Sequence, residues 1–182
     1  MKYVSIDVET ANKNRASICQ IGIAVFKDHL IVDQYATYID PEDYFDDFNI
    51  SIHGITERTV SGAPTFDRIT EKIYSYLDGM VAVCHTQFDR VSISQACDCY
   101  DVRVPNCKWL DSARIARRTW PEVALRNYGL GNVCKIIGYQ FKHHDALEDA
   151  KAAGQIVKAA SEIAGLDIDG WLNILKTPKN QA

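Results

Sequence analysis

Residues 2–10 read KYVSIDVET, an alternating run near the start of a 182-residue chain. Successive residues of a strand point to opposite faces, so the two central valines and the isoleucine predict one apolar face. Asp7 and Glu9 leave from the other face, with Cα atoms about 7 Å apart. Two carboxylates at this separation can reach one cation, and a solvent-exposed strand face is the alternative interpretation.

The rest of the chain carries strand patterns first and helix patterns later. Further strands are predicted at residues 18–26, 31–39, 80–84 and 108–111, an acidic loop at 40–49, and helices at 64–77, 89–100, 112–118, 132–137 and 145–163. The first three strands follow one another closely, whereas the later strands alternate with helices. This order predicts an α/β fold with a mixed five-stranded sheet, an antiparallel meander at its start and parallel strands later, flanked by helices.

Composition predicts a globular chain, with 47% apolar and 24% charged residues. We expect a single domain over 1–182, with a core at about 2–163 and a short C-terminal tail at 164–182. No apolar run is long enough to cross a bilayer, and Asp7 interrupts the region where an export signal needs apolar residues. The expected location is therefore cytoplasmic, with the six cysteines reduced.

Charge is distributed unevenly behind a formal net charge of −4. Residues 40–101 carry 4 basic and 12 acidic groups, whereas residues 102–142 carry 8 basic and 2 acidic groups. The basic segment is a candidate for contact with a polyanion and the acidic segment for holding cations. An ordinary solvated helix face would explain the arginines of the basic segment equally well.

Two later carboxylates and a histidine fall on positions that should face the sheet. Asp89 heads the apolar stripe of a predicted helix, where it is either a metal ligand or an N-cap. Asp149 lies about 60° from the centre of an alanine-rich stripe in the last long helix. His144, just before that helix, is either a structural histidine or a proton acceptor that titrates near neutral pH.

Gathered without counter-charge, these four carboxylates would repel one another, and removing them from water would be costly. Oxygen ligands of this kind suit Mg²⁺ or Mn²⁺ better than zinc. Two such ions activate a water and stabilise the leaving oxygen of a phosphodiester, and His144 is suited to deprotonate that water. The sequence therefore predicts a metal-dependent phosphodiesterase.

Three segments resemble, in order, the motifs of the DEDDh (DnaQ-like) 3′-to-5′ exonuclease family, which includes the proofreading epsilon subunit of DNA polymerase III, RNase T and oligoribonuclease. They are SIDVET at 5–10, HTQFD at 85–89 and HDALED at 144–149. The resemblance implies an RNase H-like fold and stepwise release of nucleoside 5′-monophosphates. It also implies two Mg²⁺ or Mn²⁺ ions per site.

By this resemblance, Asp7, Glu9 and Asp149 would hold one ion. Asp7 would bridge to a second, with Asp89 acting directly or through water, and His144 would be the general base. The residues expected to contact substrate are Thr10, Ala11, His53, His85 and Phe88.

The chain departs from the family at Thr86, where proofreading members often have Asn, so assignment to a proofreading subgroup stays open. The favoured substrate is single-stranded or frayed DNA with a free 3′ end. Short RNA or tRNA ends are the alternative, and a non-catalytic binding module is a third. The apolar tail, which includes Trp171, either caps the core or docks a protein partner or second copy.

Overall fold

One mixed sheet organises the protein, whose computed structural model describes residues 1–176. Its strands are Lys2–Thr10 (β1), Ile18–Lys27 (β2), Leu30–Tyr38 (β3), Val81–Cys84 (β4) and Lys108–Asp111 (β5). They lie in the order β3-β2-β1-β4-β5. β2 is antiparallel to both β1 and β3, whereas β4 is parallel to both β1 and β5. The predicted five-stranded mixed sheet is confirmed.

Five α-helices follow the predicted positions to within a few residues, and three further α-helices within residues 1–176 were not predicted. In chain order the helices are Asp47–His53 (α1), Glu57–Val60 (α2), Phe66–Leu77 (α3), Phe88–Cys99 (α4), Ser112–Thr119 (α5), Leu130–Ile137 (α6), Ala146–Ala164 (α7) and Ile168–Lys176 (α8). Those not predicted are α1, α2 and α8. α1 begins inside the segment predicted as an acidic loop. Asp46 caps it by accepting the Phe48 N–H, and Gly54 ends it at φ 75°. No residue of α1 is buried, so the helix left no apolar pattern in the sequence.

Both faces of the sheet are covered. The even-numbered side of β1 packs against α3 and α4, with Ile6 fully buried. The odd-numbered side packs against α5, α6, α7 and α8, with Tyr3 stacked on Phe26 at a centroid separation of 4.8 Å. Asp7 and Glu9 therefore face the α7 side of the sheet, at the end of β1 where the apolar packing stops.

α7 lies unusually close to β2 because small residues line the contact. A Cβ on Gly22 would overlap the peptide group that joins Ala146 and Leu147. The Ala146 N–H also donates to Gln20 Oε1 at 3.2 Å. Since Gly22 is the β2 partner of Asp7, this contact sets the distance between α7 and the carboxylates of β1.

The C-terminal helix caps the core. Trp171 is 2% exposed and its Nε1–H donates to Ser161 Oγ at 3.0 Å. Leu172 and Leu175 are buried in the same cluster as the inner face of α7. Of the two alternatives for the tail, capping thus accounts for these side chains, and residues 177–182 of the tail lie outside the described residues. No helix within 1–176 combines the length and apolar character needed to cross a membrane.

Candidate active site

Carboxylates from two distant elements meet at the end of β1. Asp7 and Glu9 project from β1 and Asp149 from the first turns of α7. One carboxylate oxygen from each of the three lies within 4.8 Å of the others. Alternation along the strand places the first two on one face, and the close seat of α7 on β2 brings Asp149 to them.

Asp89 joins the group from the opposite layer. It lies in the first turn of α4, is 2% exposed, and its Oδ1 accepts the Val8 N–H at 3.0 Å. The N-cap of α4 is Gln87 rather than Asp89, so capping does not explain this buried carboxylate. The bond to Val8 instead fixes it beside Asp7.

Asp149 shows whether these residues fit a divalent cation. Its Oδ2 accepts the His144 N–H at 3.1 Å, while its Oδ1 is buried without a hydrogen-bond partner in the described part of the chain. A buried carboxylate oxygen left without a donor is costly unless a ligand completes it. An all-oxygen donor set is the one that Mg²⁺ and Mn²⁺ prefer, so the residues fit such a cation.

Burial and mutual repulsion raise the pKa of every carboxyl in the group. Burial is the larger cause for each, and it raises the pKa of Asp89 and Asp149 to about 7 and that of Glu9 to about 8. The pKa of Asp7 is raised well above its usual range by burial and by the charges of Asp89, Asp149 and Glu9. Within residues 1–176, no Lys or Arg lies within 4.0 Å of these four carboxylates. Among the described residues, the carboxylates therefore have no lysine or arginine beside them to balance their charge.

Two histidines, His143 and His144, lie next to Asp149. His144 adopts φ 66°, and its ring stacks on that of His143 at a centroid distance of 3.9 Å. His143 Nε2 lies 3.8 Å from Asp149 Oδ2. Ligand atoms of His143, His144 and Asp149 also lie within 4.8 Å of one another. His143 is not among the site residues predicted from the sequence.

Two of the residues expected to contact a terminal nucleotide, His53 and Ala11, differ in what they offer to a substrate. His53 Nε2–H donates to the Thr10 carbonyl at 3.2 Å, and His53 Nδ1 accepts the Ile55 N–H at 2.9 Å. Asn49, which sequence reasoning missed, also donates to the Thr10 carbonyl, at 2.8 Å. Ala11 is fully buried and exposes no surface to a substrate.

His85 and Phe88 line the same cavity as the carboxylates. His85 Nε2–H donates to the Tyr128 carbonyl, and Nδ1 is hydrogen-bonded to Ser112 Oγ, each at 2.8 Å. The ring of His85 thus ties the 120–129 segment to the rim of the cavity. Phe88 is 36% exposed, and the guanidinium of Arg15 lies 5.1 Å from its ring centroid. Arg15, from the β1–β2 connection, was also missed, because a contact between distant loops leaves no local pattern.

Thr86 takes a backbone conformation that its side chain disfavours. Its φ is 73°, in the left-handed region that β-branched residues rarely adopt and Asn tolerates. The Thr86 N–H donates to Asp111 Oδ1 at 3.1 Å, which holds the turn in place. Asn would fit the backbone of this chain at position 86 with less strain than Thr.

A mixed five-stranded sheet with buried carboxylates at the end of its first strand defines an RNase H-like nuclease. The comparison with known families agrees, since the exonuclease family RNase_T matches residues 4–157. The chain belongs to this family and is a DEDDh (DnaQ-like) 3′-to-5′ exonuclease. The predicted family is thereby confirmed.

Relatives and solved structures show how far the similarity reaches. The DNA polymerase III PolC-type of Caldanaerobacter subterraneus subsp. tengcongensis is 27% identical over 97% of this chain, which spans 14% of that protein's length. Exonuclease X in complex with 5′ overhanging duplex DNA has a TM-score of 0.75 and 21% identity, over 94% of this chain and 98% of that one. The nuclease domain of 3′hExo, a DEDDh family member bound to rAMP, has a TM-score of 0.72 and 20% identity, over 88% and 92% of the two chains. These structures share the fold.

Proposed function

We propose that this chain is a divalent-cation-dependent exonuclease that removes nucleotides from the 3′ end of single-stranded or frayed DNA and releases nucleoside 5′-monophosphates. Two observations carry the proposal. Carboxylate oxygens of Asp7, Glu9 and Asp149 lie within 4.8 Å of one another, and the buried Asp149 Oδ1 has no hydrogen-bond partner among residues 1–176. We further propose that the chain acts as one exonuclease domain, because α8 packs on the same core as the matched region.

The four carboxylates would hold two Mg²⁺ or Mn²⁺ ions. Asp7, Glu9 and Asp149 would form one position, and Asp7 with Asp89 the other. Such ions lower the pKa of a water and neutralise charge on the leaving 3′ oxygen. Asp149 Oδ2 accepts the His144 N–H, so the backbone of His144 is held against the carboxylate cluster.

His144 would act as the general base, taking the proton of the attacking water while the P–O bond to the 3′ oxygen breaks. Its half-buried side chain lines the same cavity as the carboxylates. His143, stacked on His144, would limit the movement of its ring. We assign positioning of the terminal nucleotide to Phe88 in the cavity and to His53 beside Thr10.

DNA is favoured over RNA because one relative is named a DNA polymerase and Exonuclease X was solved with DNA. The 3′hExo nuclease domain, bound to rAMP, keeps short RNA or tRNA ends as the alternative. We also propose that a protein partner or a second copy binds through the C-terminal tail, on the exposed side of α8.

The test uses DNA and RNA oligonucleotides of identical sequence, labelled at the 5′ end, with Mg²⁺, Mn²⁺ or EDTA. Asp7→Asn should abolish stepwise shortening, because a neutral amide has no anionic oxygen for either ion. Asp98→Asn is the matched control, since Asp98 is exposed on α4 and away from the cavity. Activity in EDTA, or in Asp7→Asn, would contradict the proposal, and faster shortening of RNA would establish the alternative substrate.

A further inference from the structure

A second cavity, of about 140 Å³, adjoins the carboxylate site. It opens where β4 and β5 end, between the first turns of α4 and α5, and the last turn of α8 forms its third wall. Thr86 lines both this cavity and the carboxylate cavity. The two spaces therefore lie on either side of a single turn of the chain.

The floor of this cavity is apolar. Leu110, Leu172 and Leu175 are each less than 10% exposed, and Trp109 also lines the cavity. An apolar floor with a few polar groups at the edge is the usual composition of a small-ligand site.

The rim carries three cations, Arg90, Arg114 and Lys176. In the part of the chain that the structure describes, none of the three has a carboxylate within 4.0 Å. Arg114 Nη2–H donates to the Leu175 carbonyl at 2.7 Å, a neutral partner that leaves the charge of the guanidinium uncompensated.

The carboxylate that lines this cavity is already engaged elsewhere. Asp111 Oδ1 accepts the backbone N–H groups of Thr86, Ala113 and Arg114, at 3.1, 2.9 and 3.3 Å. Asp111 thus caps α5 and holds the Thr86 turn. With three cations against one carboxylate, the lining has a net charge of +2.

We propose that this cavity binds a phosphate group. Guanidinium groups match phosphate oxygens in geometry, and three cations suit a dianion better than a singly charged carboxylate. A volume of about 140 Å³ is enough for a phosphoryl group.

The phosphate has two possible sources, which rest on the proposed function. One is the backbone of a strand whose 3′ end occupies the carboxylate site, and the other is the mononucleotide released there. In either case the position next to Thr86 links phosphate binding to the turn that carries the second motif.

The test measures thermal unfolding in EDTA with increasing inorganic phosphate, against chloride at equal ionic strength. Arg90→Gln combined with Lys176→Gln removes two of the cations, while Arg114 is kept because it anchors α8. Arg68→Gln is the control, since the Arg68 side chain is 78% exposed on α3. Wild type and the control should show saturable stabilisation, and the half-saturating phosphate concentration should rise about tenfold in the double variant.

Equal stabilisation of all three proteins by phosphate, or no saturable stabilisation of any, would overturn the proposal. Because the unfolding assay contains no nucleic acid, this result does not depend on whether the proposed exonuclease activity is correct. Steady-state kinetics then distinguish the sources. If the KM of the double variant is higher than that of wild type for long oligonucleotides but not for dinucleotides, the bound phosphate belongs to the strand backbone. If nucleoside 5′-monophosphate inhibits the double variant more weakly than wild type, the bound phosphate belongs to the released product.

Discussion

Replacement of Gly22 by Ala should separate the two halves of the carboxylate site. The added methyl group would overlap the Ala146–Leu147 peptide group, which is backbone and has no rotamer to change. The first turn of α7 must therefore move by more than about 1 Å to restore an ordinary contact distance of about 3.5 Å. Asp149 lies one turn further along this helix and would move away from Asp7.

The expected cost has a stability part and an activity part. Overpacking of this kind typically lowers the free energy of unfolding by about 1–3 kcal/mol. A displacement of about 1 Å at a catalytic group can reduce the rate about 100-fold. The half-saturating Mn²⁺ concentration should also rise, because the Asp149 oxygen no longer lies within reach of the oxygens of Asp7 and Glu9.

The assay combines urea unfolding with exonuclease rates at several Mn²⁺ concentrations, at a temperature where circular dichroism shows the variant folded. Gly131→Ala is the control, because a Cβ there meets only His143 Nδ1, at 3.9 Å, and alanine favours its helix. If Gly22→Ala matched wild type in stability and in Mn²⁺ dependence, the close seating of α7 on β2 would not set the geometry of the site.

Three further predictions follow from the same geometry. Asp149→Asn should raise the melting temperature of the cation-free protein at neutral pH, because it removes a buried charge. It should also weaken Mn²⁺ binding, measured by calorimetry, at least about tenfold. A lower melting temperature would contradict this prediction. In EDTA, the free energy of unfolding should fall as pH rises from about 4 to about 8. The folded pKa values of Asp89 (about 7) and Glu9 (about 8) exceed the usual unfolded values, so the folded state binds more protons in that range. Urea titrations that show no change in stability with pH would refute this prediction. Thr86→Asn should raise the free energy of unfolding by about 1 kcal/mol, since Asn tolerates φ 73°; a destabilised variant in urea would show that the Thr side chain offsets the strain.

Local patterns were sufficient for most of the fold. Alternation in β1 identified the two faces of the first strand, and the alanine stripe of α7 placed Asp149 towards the sheet. The order of strand and helix patterns was enough to predict a mixed sheet. α1 escaped prediction because it buries no residue and depends on its caps.

The sequence by itself determined the family and the types of residue available for chemistry, because alternation, helical spacing and motifs are properties of neighbouring residues. Tertiary structure alone decided that Asp149 Oδ1 has no hydrogen-bond partner within residues 1–176 and that the guanidinium of Arg15 lies over the ring of Phe88. It also placed three cations around a cavity beside Thr86. These features depend on distances between segments that are far apart in the chain. The distances depend on how closely α7 and α8 pack on the sheet, and the volumes of the side chains at the contact determine that packing.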